Sequence, residues 1–411
     1  MIRNATEILK KNEFDMAAIS TPVLWRVGQM LTATESSLLV AIPVEGYTAG
    51  EKLDVRLCVC LAGERETYAA CGFVSEDGEL IDDGLERGCD SALHIPATVA
   101  LIDGEPCVRF YLMAAKGEAL TLSSVTATPF EEEPHWLGGA RLIQRKPQRN
   151  LCMGYLLQTS ENRLLIFDGG RAHDTEALGQ TILDMGGHVD GWFVTHYHCD
   201  HIDAIIGVLE KYDVTVDNFY YDFRGADNPK FIGDGDNPCI RHLEDVLAAC
   251  RGNKIANVVT THRGDVFGFG SITVKVLNDA IFYEDEDNPG NDSGIMFKIE
   301  TPGESVLMTG DMGWTRGDLC LEDAWCLTEM RACRVVQMAH HGQRGTTEKF
   351  YRAIDDIRVC LIPAELWLFH CDRYGQGFNS CQWESLPTRN WMRRREVGYY
   401  YPAIDGDVTI L

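Results

Sequence analysis

No stretch of the chain approaches the roughly 18 consecutive apolar residues that a membrane-spanning helix requires. The first residues, Met1-Ile2-Arg3-Asn4-Ala5-Thr6-Glu7, also lack the apolar centre of a secretion signal. Positive charge is scarce: 37 lysines and arginines stand against 62 aspartates and glutamates, for a formal net charge of -25. A surface of that sign repels polyanions, which disfavours extended binding to long nucleic acid unless a local basic patch reverses the field. Ordered cysteine pairs are missing too. The 15 cysteines are dispersed, odd in number and without a C-x-x-C pair, so they form no disulfide framework and fit a reducing compartment, where buried thiols serve as small hydrophobes. These absences lead to the expectation of a cytoplasmic protein that does not engage a membrane.

What is present is enough for two domains. A chain of 411 residues exceeds the size at which single cores usually stop growing. Residues 1–18 have the charge pattern of a short helix with no chemistry of its own. Between Thr21 and Phe130, short β-like runs such as Ser36–Ile42, Leu53–Val59 and Cys107–Leu112 are separated by Gly50, Gly78, Gly104 and Gly117, as in an all-β sandwich. We therefore expect an N-terminal β-sandwich-like accessory domain over 1–135, with the acidic run Glu131-Glu132-Glu133-Pro134 as linker. His94 reads as an ordinary packed or surface histidine. A structural role suits this domain best; carbohydrate binding or homo-oligomer formation through it stays open.

From Cys152 onward strands and helices alternate, the pattern of a layered α/β domain over 136–411. Tyr155–Thr159 and Arg163–Gly170 read as a hairpin that closes on Asp168-Gly169-Gly170, and Thr175–Met185 as an amphipathic helix stopped by Gly186-Gly187. Then comes the stretch around which the domain is arranged, Trp192-Phe193-Val194-Thr195-His196-Tyr197-His198-Cys199-Asp200-His201. An apolar strand ends, and the side chains that follow are mostly potential metal ligands delivered to a sheet edge. His196 and His198 can converge on one side of a short loop and offer imidazoles to a first ion. Asp200 and His201, adjacent in sequence, can point away from that pair toward a second, and two-metal hydrolytic sites hold their ions about 3.5–4 Å apart. Mixed imidazole and carboxylate donors suit zinc first, with manganese or iron as alternatives. A solvated polar loop is the competing reading, and the density of ligand-type residues weighs against it.

His196-x-His198-x-Asp200-His201 resembles the signature of the metallo-β-lactamase superfamily. The resemblance implies an αββα sandwich with a two-metal site at one edge, and it gives roles to residues elsewhere. Asp168 looks like the superfamily's first-motif aspartate, which orients the metal loop rather than binding metal. Asp311, at the end of the strand-like run Ser305–Gly310, resembles the carboxylate that bridges the two ions. Val335–Ala339 is one more apolar strand ending in ligand-type residues, His340-His341-Gly342. This ending, with Asn291–Ser293 upstream, is similar to the branch that includes the hydrolase domain of competence (DNA-uptake) proteins and the phosphorylcholine esterases. His341, beside the flexible Gly342, is our choice for the remaining ligand, which leaves His340 as a proton donor or substrate contact; the sequence does not decide between the two.

One departure is evident. Many superfamily members place a further histidine between the first loop and the bridging aspartate, but His242 and His262 are the histidines available and neither follows the usual motif. The first ion is then expected to have His196, His198 and Asp311 as its protein ligands, with open positions as a catalytic metal needs. Elsewhere, Arg141, Arg145, Lys146 and Arg149 form a basic segment that reads as a solvated face before it reads as an anion patch. The tail combines Trp367, Phe369, Tyr374, Phe378, Trp383, Trp391 and Tyr399–Tyr401 with Arg389, Arg393, Arg394 and Arg395. Packed rings and solvated arginines are expected there ahead of an anionic pocket, and His370 and Cys371 have no evident partner. The final run Val408–Leu411 reads as a strand. The resulting expectation is a metallohydrolase with two divalent ions held by His196, His198, Asp200, His201, Asp311 and His341, with Asp200, Asp311 and His340 closest to the chemistry. Its substrate would be a small or locally recognised anion, foremost a phosphodiester. Hydrolysis of a lactone, thioester or β-lactam, or a non-catalytic metal-stabilised scaffold, are the alternatives.

Overall fold

Strict alternation in Lys52–Leu61 sends Leu53, Val55, Leu57, Val59 and Leu61 to a buried face, all but out of solvent's reach. This strand is the spine of one of two sheets in the first unit of the computed structural model, which describes residues 21–34, 37–65, 71–76, 80–130, 135–223, 237–281, 289–371, 385–404 and 406–411. The expected helix over 1–18, the linker Glu131–Pro134, and Tyr374, Phe378 and Trp383 lie outside the described residues.

The chain divides into two units, Met1–Pro134 with His370–Tyr401, and His135–Phe369 with Pro402–Leu411. In the first, one sheet orders Val23–Leu24, Ser37–Pro43, Glu105–Ala114, Cys71–Val74 and Leu80–Asp83, and the other Met30–Thr32, Ala119–Pro129, Lys52–Leu61 and Asp90–Thr98. Val40, Phe73 and Phe110 of one sheet share a single core with Val55, Leu57 and Leu120 of the other. His94 lies beside Asp54, with Nδ1 3.5 Å from Oδ2.

The expectation of one uninterrupted second domain over 136–411 is corrected here, because His370–Tyr401 groups with the first unit. The helix Ser385–Arg394 carries the reason. Arg393, 1% exposed, donates from Nε to Asp82 Oδ2 at 2.8 Å and from Nη1 to the Gly84 carbonyl at 2.7 Å. Arg394 pairs with Glu86, and Arg389 lies 3.9 Å from Asp82. Of the arginines expected in solvent, Arg389 and Arg393 are thus buried beside Asp82 inside this unit, where an unpaired charge would cost several kcal/mol, of order 3–5. Cys371 Sγ, expected to stand alone, lies 3.1 Å from Ser385 Oγ.

The second unit is a layered α/β body. Its first sheet runs Ile255–Thr260, Thr215–Tyr221, His188–Phe193, Leu164–Asp168, Gly154–Gln158, Arg141–Gln144 and Val408–Ile410. The first three junctions in that order are parallel and the rest antiparallel. One face packs on the helices Thr175–Asp184, Cys199–Lys211 and Asn237–Cys250, through Leu178, Ile182, Ile202, Ile205, Leu243 and Leu247. The other face presents Phe167, Phe193 and Tyr220 to Phe267, Phe269 and Phe297 of the second sheet, with Phe193 and Phe297 centroids 5.4 Å apart. That second sheet orders Val266–Phe269, Ile272–Val276, Phe297–Glu300, Ser305–Met308, Cys333–Gln337 and Val359–Ile362. Because neighbouring strand residues face opposite ways, Lys298 leaves the aromatic layer and reaches Glu329 of the helix Ala324–Arg331 at 2.7 Å. The glycine-rich segment Gly264–Gly270 contains the strand Val266–Phe269; Phe267 and Phe269 pack in the aromatic layer although glycines interrupt the pattern.

Arg145 of the basic segment is buried rather than solvated: it donates to Thr181 Oγ1 at 2.6 Å and lies 3.3 Å from Asp407. Among the described residues, no helix is long and apolar enough to cross a membrane.

Candidate metal centre

Four strands of the second unit end at a common edge, and each end supplies chemistry. Leu164–Asp168 stops on Asp168, His188–Phe193 leads to His196 and His198, Ser305–Met308 to Asp311, and Cys333–Gln337 to His340 and His341. Asp200 and His201 sit in the first turn of the helix Cys199–Lys211. The structure brings these residues, far apart in sequence, into two overlapping groups. Asp200, His201, Asp311 and His341 form one and His196, His198 and Asp311 the other, with donor atoms in each within 4.8 Å of one another. Asp311 belongs to both groups. Its Oδ1 is 3.3 Å from His201 Nε2 and its Oδ2 3.5 Å from His341 Nε2, while Asp200 Oδ2 lies 3.3 Å from His341 Nε2.

The imidazoles are aimed. His201 Nδ1 lies 2.8 Å from Asp168 Oδ2, His341 Nδ1 2.8 Å from the Pro363 carbonyl and His196 Nδ1 3.2 Å from Thr195 Oγ1. A proton on Nδ1 directed at an acceptor leaves the Nε2 lone pair to face the centre, and the Nε2 atoms of His196, His201 and His341 are buried there without a hydrogen bond. Buried polar atoms are seldom left so. Asp168 fixes the loop by accepting from Thr195 N and Thr195 Oγ1, each at 2.7 Å. The glycines after it are needed for contact: a Cβ on Gly170, whose φ is +100°, would lie 2.6 Å from Cys152 Sγ.

Charge follows the same geometry. Burial works against a charged His341, but Asp311 and Asp200 outweigh it and push its pKa up to about 9. Burial likewise opposes charge on His201, and Asp311 with Asp168 raises it well above the ordinary range. Burial opposes ionisation of Asp311, yet His341 and His201 hold it well below the usual carboxylate range. Burial dominates at His196, and with the neighbouring His201 and His198 it lowers the pKa well below the ordinary imidazole range. In the metal-free chain, protons on imidazoles therefore supply the positive charge that cations would supply. Residues, burial and donor types fit divalent ions.

His340 stands at the rim, with Nε2 3.9 Å from Asp311 Oδ2 and 3.4 Å from Asn291 Nδ2. Its Nδ1 lies 2.8 Å from the Arg344 carbonyl, and burial lowers its pKa. A neutral ring so anchored through Nδ1 presents Nε2 as a proton acceptor. His242 and His262 are elsewhere: His242 pairs with Glu210 at 2.9 Å and His262 with Asp279 at 3.6 Å, on the surface.

Sequence reasoning missed several supports. Gln337 Oε1 accepts from Thr309 N and Gly310 N, each at 2.8 Å, and so holds the turn that carries Asp311. Asn278 accepts from Met296 N and donates to the Gly294 carbonyl, each at 2.8 Å, holding the segment after Asn291. A lone amide in or beside an apolar strand was the available signal. Arg171, directly after Asp168-Gly169-Gly170, donates to Cys199 Sγ at 2.9 Å and was not singled out.

No model of a known protein family matches the chain, and no curated protein matches it. Among solved structures the chain is similar to the metallo-β-lactamase fold protein YhfI from Bacillus subtilis, at TM-score 0.40 and 14% identity, over 66% of this chain and 98% of that one. It is similar to the Rm3 metallo-β-lactamase at TM-score 0.33 and 12% identity, over 64% and 90% of the two chains. With Zn2+-bound PqqB from Methylobacterium extorquens the TM-score is 0.30 and the identity 11%, over 48% and 69%.

Proposed function

We propose that the chain is a metal-dependent hydrolase of the metallo-β-lactamase superfamily, acting on a phosphoester and foremost on a phosphodiester. The observation that carries this reading is the pair of donor groups that share Asp311, with His196, His201 and His341 turned by their Nδ1 partners to present Nε2. His196, His198 and Asp311 would hold one divalent ion and Asp200, His201, Asp311 and His341 a second; the donor set favours zinc, then manganese or iron. Such ions lower the pKa of a bound water to about 7 and polarise a phosphoryl or carbonyl oxygen.

The chain's own residues do the rest. Asp168 and Thr195 fix the loop that carries His196 and His198. Asp311 holds its carboxylate between the two groups. Neutral His340 accepts a proton at Nε2 from water or a substrate hydroxyl, and it returns that proton to a leaving oxygen once charged. The first unit is read as a β-sandwich accessory body. Thirteen of the cysteines are free thiols, which supports a cytoplasmic setting.

The test is turnover of bis-p-nitrophenyl phosphate, a lactone and a thioester by zinc-loaded protein and by His198→Ala. Phosphodiester turnover lost in the variant supports the proposal. Turnover confined to an acyl substrate transfers the reading to lactone, thioester or β-lactam chemistry, and metal occupancy without any turnover transfers it to a scaffold.

A further inference from the structure

We infer that Arg171 is the substrate-anion contact of this centre, the residue that gives the hydrolase proposed above its preference for a negatively charged ester. The inference rests on that reading and begins with a rigid turn. Arg171 N donates to Asp174 Oδ2 at 2.8 Å, and the other oxygen of Asp174 accepts from Gln148 N at 2.8 Å. Gly170 before it is packed so closely that a Cβ would lie 2.8 Å from Asp174 Oδ2. The backbone that launches the guanidinium is therefore preorganised, which lowers the cost of binding a ligand there.

The side chain reaches the cluster from this turn. Nη1 donates to Cys199 Sγ at 2.9 Å, Nη2 lies 3.6 Å from Asp200 Oδ2, and 32% of the side chain remains exposed. A separation of 3.6 Å is an ion pair rather than a hydrogen bond, so the guanidinium is beside Asp200 without clamping it. Arginine presents a planar fork of five donors that matches the oxygens of a phosphate or carboxylate. Contacts with Cys199 and Asp200 align the fork next to the donor group Asp200, His201, Asp311 and His341, and part of the side chain is solvent-exposed. On a chain of net charge -25, a cation at this position offsets part of the negative field where an anionic substrate must arrive.

The experiment compares wild type, Arg171→Gln and Arg171→Lys, each loaded with zinc and assayed for zinc content. Inorganic phosphate is titrated calorimetrically, and KM and kcat are measured for anionic bis-p-nitrophenyl phosphate and neutral p-nitrophenyl acetate. The expected result is a phosphate Kd raised about tenfold or more in Arg171→Gln, the size of one lost charge-assisted contact. KM for the anionic ester should rise by a similar factor with kcat nearly kept, KM for the neutral ester should not move, and Arg171→Lys should recover part of the loss. Unchanged phosphate affinity overturns the inference. So does zinc loss, or an equal defect on both esters, since either shows that Arg171 acts by holding Asp200. Were wild type to hydrolyse neither ester, the hydrolase reading would fall while the phosphate titration still decided the role of Arg171.

Discussion

Asp168 shows how much of the centre depends on one carboxylate that touches no substrate. It is 1% exposed, adopts a left-handed φ of 55°, and receives Thr195 N, Thr195 Oγ1 and His201 Nδ1 on its two oxygens. Asp168→Asn keeps the shape but exchanges one acceptor for a donor. We predict divalent-metal affinity about 10–100-fold lower by chelator competition, with an unchanged circular dichroism spectrum; wild-type affinity would contradict the positioning role. At the other wall His340 and His341 follow one another with φ of 53° and 58°. Each such residue costs about 1–3 kcal/mol, strain of the sort that surrounding structure must hold in place at functional sites. The ligand-type residues at these ends were legible because each breaks an apolar run. Gln337 and Thr195 were less so, since their partners are backbone groups or a carboxylate distant in sequence, and the lone amide of Gln337 at the end of an apolar strand was the only signal.

Elements rather than single ligands decide how the first donor group is closed. The one-turn helix Pro289–Asp292 lies against His198, and a Cβ on Gly290 would overlap His198 Nε2. Asp292 Oδ1 accepts from Arg316 N at 3.0 Å, which ties this turn to the helix Trp314–Glu322 that follows Asp311. Gly290→Ala must therefore displace either the turn or His198. We predict loss of most metal bound at the first group, read by metal analysis, and a melting temperature within a few degrees of wild type because the core is untouched. A variant that binds metal normally would show that the turn does not shape the group. The main strands and helices that place the ligands were readable from periodicity, for instance Thr175–Asp184 against an expected helix over 175–185. Those read poorly were short or punctuated: glycine hid the strand Val266–Phe269, and the helix Trp314–Glu322, with exposed Trp314 and Leu319, lacks a clean apolar stripe.

At the scale of the molecule, two independently cored units share a chain whose end contributes to both. Sequence order alone could not show this, because the arginines of Ser385–Arg394 find Asp82 and Glu86 some three hundred residues earlier. Charge pairing in the metal centre gives a pH signature. His341, raised to about 9 from an ordinary 6.5, stabilises the metal-free fold fully below about pH 6.5 and loses that contribution as pH rises through about 9. Asp311, held low, contributes above its ordinary value of 3.8 and loses its contribution as pH falls through the depressed value. Chelator-stripped protein should therefore melt at falling temperature between pH 6.5 and 9.5, while zinc-loaded protein, in which cations replace those protons, should hold steadier over the same interval. Parallel melting curves for the two forms would contradict this.

The proposal that His196, His198, Asp200, His201, Asp311 and His341 cage two cations is most directly tested by counting metal. Protein reconstituted with zinc, freed of excess ion and analysed by plasma mass spectrometry should carry two equivalents per chain. His198→Ala and His341→Ala should each retain about one, and Asp311→Ala, which touches both groups, should retain neither firmly. Wild-type protein that holds no stoichiometric divalent ion, or variants whose content matches wild type, would contradict the centre as described.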